Sequence, residues 1–333
     1  MVSAKESPSN DKSALALHRF AIVCAAATFV LIFVGGLVTS TGSALAVPDW
    51  PLAYGRLVPK LVGGVRFEYG HRVVAGVVVL LTIILALWTW MVEPRSWVRK
   101  TAFAAAGLIV VQAILGGITV LYLLPLPVAV AHAGTAQALF CLMVSMALFT
   151  NPKFGAGPRI ESNAGRPSTA MLATITTAVI YTQILIGAVM RHLGAGLAIP
   201  DFPTSFGHLM PPFISIGIDV NFAHRCGAVA VSIFVLWTVA RVFRRHRERP
   251  ELTHPAWLLL VLLLMQVSLG ALTIWSGRAV IPTTAHVAIG AGVLATSLAL
   301  TLRLRAPGGL ALGAEAARVP SPISPTMERK VTV

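Results

Sequence analysis

The chain has 333 residues, of which 56% are hydrophobic and only 11% charged, a balance that excludes a water-soluble globular core. Twenty-six Lys and Arg against 12 Asp and Glu leave a net charge of +14, but long uncharged runs separate the basic residues, so the excess reads as membrane topology and not as a nucleic-acid surface. Cys24, Cys141 and Cys226 all lie in or beside apolar runs, which excludes a disulfide framework and a CxxC metal or redox site.

A bilayer core about 30 Å thick takes roughly 20 apolar residues in a helix, because a lipid-exposed backbone must satisfy its own hydrogen bonds. In chain order, residues 1–15 are rich in Ser, Pro and charge and read as a disordered cytoplasmic tail. The first span runs from Phe20 to Val38; it continues into a glycine-containing segment with no small-residue cleavage site, so it reads as a true span and not a signal peptide. The second runs from Val73 to Val92, and the uncharged stretch from Thr101 to Pro152 holds two more, broken at Pro125 and Pro127. Residues 153–168 read as a cytoplasmic linker. The remaining spans centre on 169–190, 226–240, 255–276 and 280–302, and residues 305–333 form a second polar tail. Trp50, Trp90, Trp97, Trp257 and Trp275 fall near predicted helix ends, as an aromatic belt would. Nineteen Lys and Arg lie on the side of the termini and seven on the other, which predicts that both termini are cytoplasmic.

The segment GSALAVPDWPLAYGRLVP, Gly42 to Pro59, recurs as GAGLAIPDFPTSFGHLMP, Gly194 to Pro211, at a constant offset of 152. EYGHR (Glu68 to Arg72) answers to NFAHR (Asn221 to Arg225) at offset 153, and Gln112, Gly116 and His132 answer to Gln266, Gly270 and His286 at 154. Four helices is an even number, so the second half enters the membrane in the same direction as the first. The predicted fold is therefore an all-α integral membrane protein of eight transmembrane helices, arranged as two pseudo-symmetric parallel four-helix bundles over residues 16–152 and 169–304.

The repeat retains two histidines per half: His71, His132, His224 and His286, each at the extracytoplasmic opening of its helix. A membrane histidine without a partner is costly, and two at one depth on facing helices suit the two axial positions of a haem iron. Zinc suits them less, since each half offers only two imidazoles and no Cys or carboxylate set. Interfacial residues bonded to loops are the alternative for these histidines. Gly76, Gly116, Gly117 and Gly270 would let helices or a porphyrin approach closely, and ordinary helix packing accounts for them equally well. Glu68 lies three residues before His71, where the second half has Asn221. A carboxylate can take a proton and an amide cannot, which places reaction in the first half and electron storage in the second. Alternatively, Glu68 neutralises Arg66 or Arg72. Arg72 and Arg225 follow the helix 2 and helix 6 histidines and read either as propionate partners or as interface anchors. Asp49 and Asp201 read as loop-folding residues.

GGLVTSTGSALAVPDWP (Gly35 to Pro51), EYGHR, AHAGTAQ (Ala131 to Gln137), AHR (Ala223 to Arg225) and AHV (Ala285 to Val287) together resemble the haem A synthase family over approximately residues 18 to 304. The resemblance implies a multi-pass enzyme of the cell inner (plasma) membrane that oxidises the C8 methyl of haem O to a formyl group through hydroxylated intermediates. It further implies Glu68 as catalytic carboxylate, His71 and His132 as ligands of the substrate haem, and His224 and His286 as axial ligands of a haem b cofactor, with iron the metal at both. Haem O is the implied substrate, and a haem O synthase and the assembly pathway of an aa3-type terminal oxidase are the implied neighbours. A membrane electron acceptor is left unspecified, nucleic acid is not expected, and a homo-oligomer is compatible. Some members carry a cysteine pair in the first extracytoplasmic loop, where this chain reads Ser43-Ala44-Leu45-Ala46-Val47, so it resembles the cysteine-free branch. The competing reading is a b-type membrane cytochrome that binds haems through the same histidines and converts nothing. A transporter built from two repeats fits less well, because the polar residues cluster at one surface.

Overall fold

The computed structural model describes residues 8–155 and 167–306. Among the described residues the regular structure is helical and contains no strand: α1 Pro8–Ser40, α2 Val65–Val92, α3 Ser96–Leu121, α4 Leu126–Phe149, α5 Thr169–His192, α6 Ile216–Arg245, α7 Pro250–Trp275 and α8 Val280–Leu304. All eight are long and apolar enough to cross a membrane, and the chain is a multi-pass membrane protein.

The helices exceed the apolar runs that announce them, for identifiable reasons. α1 begins at Pro8, so residues 8–15, expected in a disordered tail, are helical and continuous with the first span. α2 begins at Val65 and takes in Arg66, Glu68 and Arg72, charged residues that a hydropathy window rejects. Arg72 and Glu68 are tolerated because they neutralise each other at 2.7 Å, and Arg66 is exposed. α6 likewise begins at Ile216, where the Ser215 hydroxyl accepts the Ile218 N–H at 3.3 Å and caps it. As a result the four histidines do not open their helices; each lies about two turns inside. The α3–α4 break is made by Leu123 and Leu124, both with positive φ, followed by Pro125 as N-cap of α4. The expected linker (in its residues 156–166) and the C-terminal tail from 307 onward lie outside the described residues.

α1 packs on α2 and α4, and α3 on α2 and α4; α5 packs on α6 and α8, and α7 on α6 and α8. Between the two quartets the contacts run α1 to α8, α4 to α5 and α4 to α8. Leu85, Val98, Leu139 and Met143 lie at the centre of the first quartet, and Val235, Leu259, Leu294 and Leu300 at that of the second. Ile32, Phe140, Ala291 and Ala295 form a third cluster across α1, α4 and α8. Lipid is as apolar as these side chains, so close packing and interhelical hydrogen bonds must hold the helices together. Thr176 meets Thr238 at 2.7 Å between α5 and α6, and Thr177 meets Ser297 at 2.8 Å and Thr301 at 3.0 Å between α5 and α8.

Candidate functional site

The two repeated loops close over the helix ends by the same chemistry. The Asp49 carboxylate accepts the N–H groups of Tyr54 and Gly55 at 2.6 and 2.7 Å, and Asp201 accepts those of Phe206 and Gly207 at 2.7 and 2.9 Å, with the Thr204 hydroxyl at 2.6 Å. Both aspartates are loop-folding residues, as expected. The amide of the glycine, first among several donors, holds each carboxyl below the ordinary carboxylate range. Gly55 and Gly207 have φ of 68° and 78°, which only glycine adopts freely.

Arg72 and Arg225 pin these loops to the helices. Arg72 donates to the carbonyls of Asp49, Leu52 and Val47 and to Glu68. Arg225 donates to the carbonyls of Thr204, Ile199 and Asp201 and to Asn221 Oδ1. Each guanidinium thus commits four of its five N–H donors to protein oxygens, so both arginines act as loop anchors. Trp50 lays its ring over Gly117 of α3, where an added Cβ would come within 2.8 Å of it, while the residue stays partly exposed.

Glu68 is 4% exposed; Oε2 accepts the Val47 N–H at 2.8 Å and Oε1 pairs with Arg72 at 2.7 Å. Its neutralising partner is therefore Arg72, while Arg66 lies over the Phe67 ring. Asn221 does equivalent anchoring in the second half, donating to the carbonyls of Ala195 and Gly196 while accepting from Arg225. The two positions are alike in fastening loop to helix and unlike in charge.

Each of the four imidazoles is seated against a glycine of the preceding helix. A Cβ added to Gly35 would lie 3.1 Å from His71 Cε1, to Gly116 3.2 Å from His132, to Gly187 2.9 Å from His224 and to Gly270 3.2 Å from His286. The ring edges occupy the space a side chain would fill. Gly116 and Gly270 thus seat histidines, and Gly76 faces nothing within 4 Å. Gly35 and Gly187 escaped the sequence reading, although their offset of 152 marks them.

The His224 and His286 rings have centroids 6.4 Å apart and planes at 69°. A ligating imidazole nitrogen sits about 2 Å from its metal and about 1 Å from its ring centre, so two rings flanking one metal have centres about 6 Å apart. The second-half pair meets that requirement. His71 and His132 lie within electrostatic reach of each other, and each keeps a buried Nδ1 without a hydrogen-bond partner. Among the described residues no group of three or more His, Cys, Asp and Glu is placed to hold a metal ion. Two imidazoles per half suit a metal that brings its own equatorial ligands, as iron in a porphyrin does.

Three further residues near these rings were not singled out from sequence. Gln183 of α5 approaches His224 Nδ1 at 3.0 Å. Arg191, near the end of α5, crosses to α1, donating to the Gly36 carbonyl at 2.9 Å and Ser40 Oγ at 2.8 Å, within electrostatic reach of His286. Its neighbour His192 is within similar reach of His132.

Comparison with known proteins bears on the whole membrane portion. A curated protein called heme A synthase from Symbiobacterium thermophilum is 32% identical over 266 residues, covering 77% of this chain and 85% of that one. Proteins of the same name from Listeria monocytogenes and Shouchella clausii are each 29% identical, covering 77% and 69% of this chain and 85% and 78% of theirs. The model of the COX15-CtaA family, described as cytochrome oxidase assembly protein, matches residues 18–62 and 65–298. That match takes in both repeated loops, all four histidines and their glycine seats, and the chain belongs to the COX15-CtaA family of cytochrome oxidase assembly proteins.

Proposed function

We propose that the chain is a haem A synthase, an oxidoreductase of the plasma membrane that converts the C8 methyl of haem O to a formyl group, with both termini cytoplasmic. Its relatives carry that name over most of their length, and the doubled imidazole pair is the observation that carries the reading. In this reading residues 16–152 and 169–304 form two pseudo-symmetric halves. His71 and His132 hold the substrate haem O in the first, and His224 and His286 hold a haem b in the second. When bound, haem b supplies one-electron redox chemistry.

The chain's own residues do the rest. The aspartate-centred loops and the arginine anchors shut the outer ends of both quartets, which limits water at the ring level. The glycines set where each ring edge stands. Glu68 is the proton-handling group of the first half. Anchoring alone does not call for a carboxylate, because Asn221 anchors the second loop with an amide; the charge at 68 neutralises Arg72 and, in this reading, also handles a proton. The neighbouring steps are a haem O synthase, which makes the substrate, and assembly of an aa3-type terminal oxidase, which uses the product.

The test is expression in a host that makes haem O and no haem A, followed by extraction and chromatography of the haems. Haem A or its alcohol precursor is the expected product; unchanged haem O with two haems bound would point to a b-type electron carrier. Glu68→Gln keeps an oxygen for the Val47 N–H and removes the charge, and should abolish product while haem binding persists. Normal product formation by Glu68→Gln refutes the role of the carboxylate.

A further inference from the structure

We infer that Gln183 makes the second-half haem the firmly held one, and that Leu31 in its place leaves His71 a releasable ligand in the first half. The inference rests on the two-haem reading above and says which site keeps its haem. The Gln183 amide nitrogen lies 3.0 Å from His224 Nδ1 and 2.7 Å from the His224 carbonyl. Gly227, one turn beyond His224, makes room for it: a Cβ there would run into the Gln183 carboxamide. At the corresponding first-half positions stand Leu31 and Val74, so both members of the pair change together. Leu31 is buried in the apolar core of the first quartet and has no polar atom to offer, and His71 Nδ1 is buried without a hydrogen bond.

A histidine that ligates through Nε2 carries its proton on Nδ1, and a partner at that proton fixes the tautomer, orients the ring and strengthens the ligand. A carboxamide presents oxygen instead of nitrogen by a half-turn of its last bond: the turn gives up the 2.7 Å bond to the His224 carbonyl, and Gln183 Oε1, which has no other partner, then accepts from Nδ1–H. The second ring of that half is backed as well, since His286 Nδ1 lies 3.1 Å from the Gln266 carbonyl. In the first half the Gln112 carbonyl neighbours His132, but His132 Nδ1 makes no hydrogen bond of ordinary geometry. The division suits the chemistry: substrate must enter and product leave the first half at every turnover, whereas a resident cofactor must stay.

The experiment uses the full chain carrying His71→Ala, so that bound haem reports on the second half. Haem transfer to apomyoglobin and the midpoint potential are compared for Gln183, Gln183→Leu and Gln183→Glu. Gln183→Leu should lose haem about 10- to 100-fold faster. It should also shift the potential upward by about 59 mV if the ferric preference falls tenfold. Gln183→Glu, which keeps an acceptor, should restore retention. The reciprocal Leu31→Gln/Val74→Gly chain, in a His224→Ala background, should hold its first-half haem longer. Equal loss rates and potentials for Gln183 and Gln183→Leu, or no slowing in the reciprocal chain, overturn the inference and leave the two-haem reading intact. A His71→Ala chain that takes up no haem overturns the reading beneath it.

Discussion

Replacing Gly187 by alanine tests whether the seats beneath the imidazoles set the site. Alanine favours a helix over glycine by about 1 kcal/mol, so at an open position the change is stabilising. At Gly187 the new Cβ would stand 2.9 Å from His224 Cε1 and 3.3 Å from Nδ1. Carbon atoms are at ease about 3.5–4.0 Å apart, so the ring must withdraw by roughly 0.6–1 Å. Its Nδ1 is tethered to Gln183 at 3.0 Å, which resists the withdrawal. Overpacking of this kind costs about 1–3 kcal/mol, leaving a net loss of roughly 0–2 kcal/mol after the helix gain. Gly76 and Gly107 face nothing within 4 Å, so alanine there should stabilise by up to about 1 kcal/mol. Thermal unfolding of the three variants in detergent measures the gap, and the Soret spectrum reports whether the axial ligand has moved. A Gly187→Ala protein as stable as Gly76→Ala, with an unchanged spectrum, would refute the reasoning. Gly116→Ala and Gly270→Ala, each at 3.2 Å, should fall between these extremes.

The outer loops should loosen in acid. Their aspartates have lowered folded-state pKa values, so their contribution is fully present above the unfolded value near 4 and is lost as pH falls through the lowered folded value. Amide exchange at Tyr54, Gly55, Phe206 and Gly207 should therefore show no loosening between pH 6 and 8 and lose protection below about pH 4, and Asp201→Asn should remove that step from the second loop only. Arg191→Met deletes the charged donor to Gly36 and Ser40 that ties α5 to α1, a loss of about 1.5–3 kcal/mol per bond. Differential unfolding should show the change, and stability equal to that of the parent chain would mean the crossing is dispensable.

Much of the molecule is legible before folding because lipid is an unforgiving solvent. Eight apolar runs had to be helices, and polar side chains retained within them, above all His71, His132, His224 and His286, had to have partners. The internal repeat then paired those histidines and exposed Glu68 against Asn221 without any coordinates. Charge misled where it was locally compensated: Arg66 and Arg72 hid two turns of α2, because a hydropathy window does not register that Arg72 is neutralised by Glu68 and loop carbonyls. Helix rotation lay beyond the sequence. Whether Gly35 rather than Gly76 seats an imidazole depends on how α1 and α2 turn toward each other, which many weak contacts decide together. The same holds for Gln183 meeting His224 across 41 residues and Arg191 reaching Ser40 across 151. A single sequence records which side chains exist, and only packed helices determine which of them come within 3 Å.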